Sequence, residues 1–429
     1  MSVDFGFDRA FRLFGNEGSG VIMPVKFDNV APEAAAPQAP RIWLWLALLV
    51  LFLILGVASA SLFSTSVLQV QSLQLWTDVF GLPLVLWISL GVGRALIYIG
   101  QLRAAEGWNQ ARSEDVRRKE CLGRRSFLVF ASSTYTALRR HNESSSKQLH
   151  SILDGGRVIK TQPCRLQKRP ARHSQLPNEN VDPELLLMEL LMAVLKDLSR
   201  VLNELPVDTP VAFLFETDSG LSESSLRRAW REAWRRSGIR QSMEPVPGNG
   251  LAALDNWLDQ RSNDSALLLV LAFQFALQDP NETAESVVGL LLGNPGQQVH
   301  LSPRANLHRP EQALGTSPDA LISAAHFALD WASMEVESTK GIWQVGISPP
   351  QKAALSMAIN KFSVSNLAFR RVHDLDRVLG LPGRTSAWLA ISLAVEVIQL
   401  GHGSQIIFSG AAPGNNELWS VAVTPASSA

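Results

Sequence analysis

Residues 265–275 read SALLLVLAFQF, an apolar run of strand length in which Gln274 is the only polar residue after the first. A strand this apolar is expected to be buried on both faces, as strands at the centre of an α/β sheet are. Residues 404–410, SQIIFSG, form a second such run near the other end of the chain. Each run is followed by a turn and another apolar segment, ESVVGLLLG at 285–293 and ELWSVAVTP at 417–425. The two runs therefore predict equivalent central strands in two halves of one domain.

Short strands and helices alternate on either side of these runs. Asp182 and Pro183 are typical of a helix start, and the apolar face that follows ends before Pro206. Such alternation predicts an α/β domain with a mostly parallel sheet. The other predicted elements are strands at 211–217 and 341–347 and helices at 222–238, 251–258, 350–359 and 386–400. We expect a pseudo-duplicated domain, with a first half at 126–300 that carries a polar insertion near 142–180, and a second half at 301–429.

Two apolar segments precede this domain, within residues 42–100. Residues 42–63 carry no charge, and about 20 such residues cross a bilayer as a helix. A signal peptide fits poorly, because some forty residues with acidic side chains and prolines come first. Residues 79–100 form a weaker second segment, which contains Pro83 and Arg94 and could instead be a buried helix of the soluble domain. The pattern predicts an N-terminal two-helix transmembrane hairpin.

The flanking charges predict the orientation of this hairpin. Residues 101–125 are rich in arginine and lysine, whereas residues 64–77 have neither. Because cytoplasmic loops carry the excess of basic residues, both ends of the chain, including the tail at 1–41, are expected in the cytoplasm. The predicted location is a bacterial inner membrane, crossed more than once. The basic segment is explained by a solvated helix face, and contact with anionic lipid is a further expectation.

Composition excludes several classes of function. Lys+Arg and Asp+Glu are both 39, so no net positive charge attracts nucleic acid. The only cysteines, Cys121 and Cys164, lack the spacing of metal ligands. The sequence His373-Asp374-Leu375-Asp376 is better explained as a surface loop than as a metal or acid–base site. No phosphate-binding loop or GxSxG motif is present, so no cofactor or metal is predicted.

Residues 383–390, GRTSAWLA, resemble a motif of the ketoacyl synthases, in which a Gly-His pair leads into a helix of small residues. This resemblance, with the duplicated order, implies a thiolase-like fold. Arg384 occupies the position of the synthase histidine, and arginine does not serve as a neutral donor and acceptor at pH 7. No cysteine follows Cys164, so no thiolate is available near residues 248–258. We therefore expect a catalytically inactive relative of these synthases, with no catalytic residues.

Two longer stretches, 268–293 and 383–410, together with the hairpin, resemble the type VI secretion lipase adaptor family of Gram-negative bacteria. This resemblance implies a membrane-anchored, non-enzymatic adaptor. Its partners would be an effector protein such as a lipase, a component of the secretion spike, and membrane lipid through residues 42–100. The alternative is a membrane-tethered acyl-transfer or lipid-handling enzyme of thiolase-like fold. A concave site with convergent polar groups would favour the enzyme, and an exposed apolar patch the adaptor.

The helix at 222–236 supplies the candidate partner surface. Its two tryptophans are four residues apart and share one face, among several arginines. That face either packs on the sheet, which leaves the arginines in water, or takes part in docking, since Arg and Trp are enriched in interface hot spots. The candidate partner-binding residues are Arg227, Arg228, Trp230, Arg231, Trp234 and Arg235.

Overall fold

In the computed structural model, the described residues fall into two units, one within Lys26–Lys119 and the other within Glu120–Ala429. The residues that it describes are 31–63, 77–140, 143–167, 169–178, 181–262, 264–295, 301–362, 371–410 and 417–426.

The unit Lys26–Lys119 is built on two long helices, α1 (Ile42–Phe63) and α2 (Leu82–Gly123), with a π-helical turn at Thr77–Gly81 before α2. Both contain apolar stretches long enough to cross a membrane, judged by length and composition. They contact each other: the indole Nε1 of Trp87 donates to the carbonyl of Trp45 at 2.9 Å. A Cβ at Gly56 would lie 2.4 Å from the carbonyl oxygen of Val79, so the close approach of α1 to the backbone at Val79 requires glycine. The predicted pair of apolar helices is thus present, and α2 continues well beyond residue 100.

The second unit is organised around an 11-stranded sheet. Its strand order is β11-β10-β12-β13-β8-β1-β7-β6-β4-β5, with β9 paired to β13. A separate hairpin consists of β2 and β3. The strands are β1 (Ser126–Thr136), β2 (Lys160–Pro163), β3 (Pro170–His173), β4 (Val211–Ser219), β5 (Met243–Pro245), β6 (Leu267–Phe275), β7 (Ser286–Gly293), β8 (Ala305–His308), β9 (Glu311–Gln312), β10 (Gly341–Val345), β11 (Arg371–Asp374), β12 (Gln405–Gly410) and β13 (Leu418–Pro425).

The sheet is mixed, so the prediction of a mostly parallel sheet is wrong. The parallel pairs are β4 with β5 and β6, and β10 with β11 and β12. The pairs between them in the sheet are antiparallel, because β6 is joined to β7, and β12 to β13, by connections too short for a parallel crossover. The order β4-β6-β7 nevertheless recurs as β10-β12-β13, and the two halves join where β1 pairs with β8. A duplicated architecture of this kind was predicted.

Helices cover both faces of the sheet. They are α3 (Ser145–Leu153), α4 (Pro183–Leu202), α5 (Glu223–Ser237), α6 (Gly250–Gln260), α7 (Pro318–Trp331), α8 (Pro349–Phe362), α9 (Leu375–Leu379) and α10 (Ser386–Gln399). Strand β6 shows the layering, because Leu268 packs with α6 and α10, whereas its neighbour Leu269 packs with α4 and α5. The strand is buried along its whole length, as its sequence predicts. Helix α10 is buried on nearly all sides, so α6 and α10 form a central layer that contacts both halves.

The polar insertion near 142–180 is more ordered than predicted. It contains α3 and the β2–β3 hairpin, and an ion pair fastens it to the domain. Arg165 Nε lies 2.9 Å from Glu285 Oε2, and the two side chains are only 3% and 6% exposed. Gln148 of α3 accepts a hydrogen bond from the backbone N–H of Thr136 at 3.0 Å. The insertion is thus held by specific buried polar contacts. It lacks the long apolar runs from which a core element is usually predicted, so its order was not apparent from the sequence.

Candidate active site

The carboxyl group of Glu216 lies inside the domain, near the end of strand β4. The side chain is 2% exposed. Its Oε1 accepts a hydrogen bond from the backbone N–H of Gly250, at 2.6 Å, and another from the indole Nε1 of Trp388, at 3.1 Å. Gly250 begins α6 and Trp388 lies in the first turn of α10, so one carboxyl oxygen joins the two central helices. Elements of both halves of the chain therefore meet at this group.

The turn before α6 leaves a backbone N–H group of the helix free to donate to the carboxyl of Glu216. Gly248 and Gly250 have φ values of +108° and +56°, which L-residues rarely adopt, so the turn at 248–250 depends on glycine. The N-cap residue Asn249 makes no side-chain capping hydrogen bond. Glu216 takes one of the free N–H groups of the first turn instead, which is the stabilising position for a negative charge on a helix.

Burial raises the pKa of Glu216 to about 7, against the opposing effects of its two N–H donors and of the nearby charge of Arg384. An ordinary glutamate is ionised at neutral pH, whereas this one is close to half-ionised. A group with a pKa near the working pH can both accept and donate a proton during a reaction. Glu216 therefore has the protonation behaviour of a general acid–base group.

Arg384 and Asp218 complete the site, and both are partly exposed. The charge of Arg384 opposes the effect of burial on both carboxyls; burial still raises the pKa of Asp218. Arg384 follows Gly383, whose φ is +55°. A Cβ on Gly383 would lie 1.9 Å from Oε1 of Gln274, so this approach also requires glycine. The Gln274 amide donates to the carbonyls of Ala284 and Leu381 at 2.9 and 2.8 Å, which fixes the loop that carries Arg384.

The hydroxyl groups at the start of α10 are engaged in the fold. Ser386 donates to the carbonyl of Gly383 at 2.7 Å, and Thr385 lies 2.5 Å from Ser286. The thiols are elsewhere, with exposed Cys121 on α2 and buried Cys164 directly after β2. The site therefore presents a carboxyl pair and a guanidinium rather than a serine or cysteine nucleophile.

The segment at 373–376 is a structural network rather than the surface loop that the sequence predicts. Asp376 is buried and accepts the N–H groups of Gly346 and Ile347 at 2.7 and 3.2 Å. Lys352 lies 3.0 Å from Asp374 and 3.2 Å from Asp376. Among the described residues, no group of three or more His, Cys, Asp or Glu side chains is arranged to hold a metal ion.

The tryptophans of the candidate partner surface are in the core. Trp230 and Trp234 are 4% and 8% exposed, and Trp230 stacks on Phe213 with ring centroids 4.9 Å apart. Their use as an exposed docking edge is therefore excluded. The physical reason is that the apolar stripe of α5 packs against β4. Three of the arginines form ion pairs, Arg227 with Glu223, Arg228 with Glu184 and Arg235 with Glu232, and a partner contact by these or by Arg231 stays a prediction.

Comparison with known proteins shows the fold. The ketosynthase from module 1 of the bacillaene synthase of Bacillus amyloliquefaciens FZB42 matches with a TM-score of 0.50 at 10% identity, over 71% of this chain and 72% of that one. The PfaC keto synthase–chain length factor gives 0.49 at 9% identity, over 71% of this chain but only 43% of that one. Human mitochondrial 3-ketoacyl-CoA thiolase gives 0.45 at 10% identity, over 71% and 99%. The mixed α/β domain has the thiolase-like fold.

No protein-family model matches the chain, and no curated protein matches it in sequence. The expectation that the chain is not an enzyme is wrong, because the solved structure that matches with a TM-score of 0.50 is a ketosynthase. No comparison supports the resemblance to the type VI secretion lipase adaptors, so the effector and spike partners that it implies are untested.

Glu216 was not predicted as a site residue, although the sequence contains a signal for it. Residues 211–217, VAFLFET, place one acidic side chain in an otherwise apolar strand that is expected to be buried. Burial of a charge is costly unless the group is paired or hydrogen-bonded, so such a residue is a candidate for a functional role. Arg384 was singled out, but as a residue that removes catalysis. In the structure, the charge of Arg384 acts on the carboxyl of Glu216 and lowers its pKa. Both residues are therefore candidates for the same site.

Proposed function

We propose that the α/β domain is an enzyme that transfers or hydrolyses an acyl group, with Glu216 as general base and Arg384 as the cation beside it. The observation that carries this proposal is the Glu216 carboxyl, which is buried, has a pKa of about 7 and is held by N–H donors from two helices. Carboxyl groups with strongly shifted pKa values are concentrated at catalytic sites. The thiolase-like fold, shared with a 3-ketoacyl-CoA thiolase and with ketosynthases, favours an acyl substrate.

The proposed chemistry needs no covalent enzyme intermediate. Ionised Glu216 removes the proton from a water or hydroxyl group as its oxygen bonds to the acyl carbon. The carbonyl oxygen becomes negative, and Arg384 stabilises that charge. When the bond to the leaving group breaks, protonated Glu216 returns the proton to it. General base catalysis of this kind contributes about 10²–10⁴-fold in rate.

The positions of the cysteines favour this route over a thiolate mechanism. Cys164 lies after β2, and burial raises its pKa, which lowers the fraction present as the reactive thiolate. Residues Gly250 and Leu251 open α6, where the synthase resemblance places the thiol. The nucleophile is therefore supplied by solvent or by the acceptor substrate.

Membrane attachment through α1 and α2 is part of the proposal. The charge asymmetry favours a hairpin in a bacterial inner membrane with both chain ends in the cytoplasm. An enzyme held in this way meets its substrate at a lipid surface. An acyl group carried by a lipid is therefore the substrate class that we favour.

The test uses the full chain purified in detergent, with p-nitrophenyl esters and acyl thioesters of increasing chain length. We expect Glu216→Gln to lower kcat/KM by about 10²–10⁴-fold. Glu311→Gln is the matched control, because Glu311 is also buried, also has a pKa raised to about 7 by burial, and accepts the indole N–H of Trp331 at 2.6 Å, away from this site. Equal loss in both variants, full activity of Glu216→Gln, or no turnover of any ester or thioester by the wild type would reject the proposal.

A further inference from the structure

A cavity lies at the N-terminal end of the parallel strands β10, β11 and β12. It has a volume of about 360 Å³ and opens where β10, β11 and β12 begin. Its wall includes Leu153, Lys340, Arg371, His373, His402 and Gln405. The volume is within the range of sites for small molecules. Its floor is the end of α10 at Val397, which lies nine residues, or about 14 Å of helix, beyond Trp388, where that helix meets Glu216. It is therefore distinct from the candidate active site.

The lining is basic. Lys340, Arg371, His373 and His402 contribute to it, and none of its ten residues is acidic. Within the described parts of the chain, the side chains of Lys340, Arg371 and His402 have no hydrogen bond or ion pair. Burial, with the neighbouring charges of Arg371 and His402, lowers the pKa of His373 to about 4, so this ring is a neutral donor and acceptor at pH 7. Charged groups left without partners around one cavity attract an anion.

The wall behind these cations is rigid. Gln405 is 1% exposed; its Oε1 accepts the Trp343 indole at 3.1 Å and its Nε2 donates to the Gly403 carbonyl at 3.0 Å. The Trp343 ring is fully buried and packs against His373 with centroids 4.6 Å apart. The cavity therefore has a fixed back, with the cations at its rim.

The cations are not needed to satisfy the end of α10. The carbonyl of Val397 accepts the backbone N–H groups of Leu400 and His402, at 3.1 and 3.3 Å, and that of Ile398 accepts Gly401 at 2.9 Å. The carbonyls of Glu396, Val397 and Ile398 are thus already paired by backbone groups. A ligand anion remains the group that would use Lys340 and Arg371 together.

We infer that this cavity binds a phosphate group carried by a small molecule or by a lipid headgroup. Phosphate matches the fork of N–H donors on arginine and the point charge of lysine, and the neutral ring of His373 can donate a further hydrogen bond. The inference does not depend on the proposed acyl chemistry, because no residue of the Glu216 site takes part in it.

The test is calorimetric titration of the full chain in detergent with pyrophosphate in one arm and short-chain phosphatidic acid in the other. We expect saturable binding in at least one arm, and the responding arm identifies whether the phosphate is free or lipid-borne. Lys340→Gln and Arg371→Gln should each weaken binding about ten-fold, the effect of losing one charged hydrogen bond. Lys196→Gln, an exposed lysine on α4, is the control and should change nothing.

Melting temperature is measured for each variant in parallel. Lys340 and Arg371 are exposed, so their replacement should leave the melting temperature unchanged and any loss of binding is not a loss of fold. Absence of binding to both probes at millimolar concentration, or equal affinity in wild type and both pocket variants, would overturn the inference. Equal weakening in Lys196→Gln would also overturn it, since binding would then reflect total charge and not this cavity.

Discussion

Replacing Glu216 by glutamine isolates the energetic effect of one buried ionisation. Both hydrogen bonds to this side chain, from Gly250 and from Trp388, are accepted by the same oxygen, Oε1. A glutamine keeps one carbonyl oxygen in that position and places an NH₂ group where the protonated carboxyl has its O–H. The variant therefore copies the shape and donors of the protonated form and removes only the ability to ionise.

The magnitude follows from the pKa. Burial raises the pKa of Glu216 from the ordinary value of 4.5 to about 7, so the folded state binds the proton more tightly than the unfolded state does. Its contribution to stability is complete below the ordinary pKa and is lost as pH rises through about 7. One pKa unit corresponds to about 1.4 kcal/mol, so between about pH 5 and pH 8 the wild type loses about 2.5 kcal/mol from this group. The glutamine variant loses none.

The assay is urea unfolding of wild type and Glu216→Gln at a series of pH values. The stability difference, variant minus wild type, should rise by about 2.5 kcal/mol from about pH 5 to pH 8. Glu311 and Glu396, whose pKa values burial also raises to about 7, are present in both proteins, so their effects cancel. Glu337→Gln, an exposed residue, is the matched control and should show no pH-dependent difference. A difference for Glu216→Gln that does not change with pH would refute the reasoning.

Three further predictions concern the hairpin, the thiols and the sheet. A cytoplasmic reporter fused to the C-terminus should be active and a periplasmic one silent; the reverse result would contradict the charge argument. Changing Cys121 and Cys164 together to serine should leave ester or thioester turnover unchanged, and its loss with normal melting would revive a thiol mechanism. Leu269→Asp in β6 or Ile406→Asp in β12 buries an unpaired carboxylate, which should cost at least about 3 kcal/mol and abolish accumulation of folded protein, whereas normal yield and melting of both would contradict their central placement.

Local patterns predicted much of the fold because their causes are local. Helix α4 begins where Asp182 accepts the N–H groups of Glu184 and Leu185, and α5 ends at Gly238 with φ +76°, both as the sequence indicates. Strand direction was not predictable in the same way. The antiparallel centre of the sheet depends on β1 lying between β7 and β8, a pairing between residues far apart in sequence.

The candidate site shows the same limit more sharply. Glu216 accepts hydrogen bonds from Gly250, which is 34 residues away in sequence, and from Trp388, which is 172 residues away. No periodicity or spacing connects such positions. The sequence places Arg384 at the start of a helix, but its effect on the pKa values of Glu216 and Asp218 depends on the packing of the assembled domain.

A buried cation imposes an order on the folding of this chain. Arg309, between β8 and β9, is fully buried, with its Nε 2.7 Å from Asp255 and its Nη1 2.8 Å from Asp259, both on α6. The same guanidinium donates to the carbonyl of Leu122, at the end of α2, at 3.1 Å. Synthesis runs from the N-terminus, so both aspartates leave the ribosome some fifty residues before the arginine that neutralises them.

Until that arginine is made, α6 cannot be buried without one uncompensated carboxylate, that of Asp255, whose side chain is 4% exposed, at a cost of several kcal/mol. We therefore expect the first half alone to leave α6 incompletely packed. A chain that ends at residue 295 should remain protease-sensitive, whereas one that ends at 426 should not. On this reasoning, the helix whose Gly250 donates to Glu216 packs only after Arg309, a residue from the second half of the chain, is available.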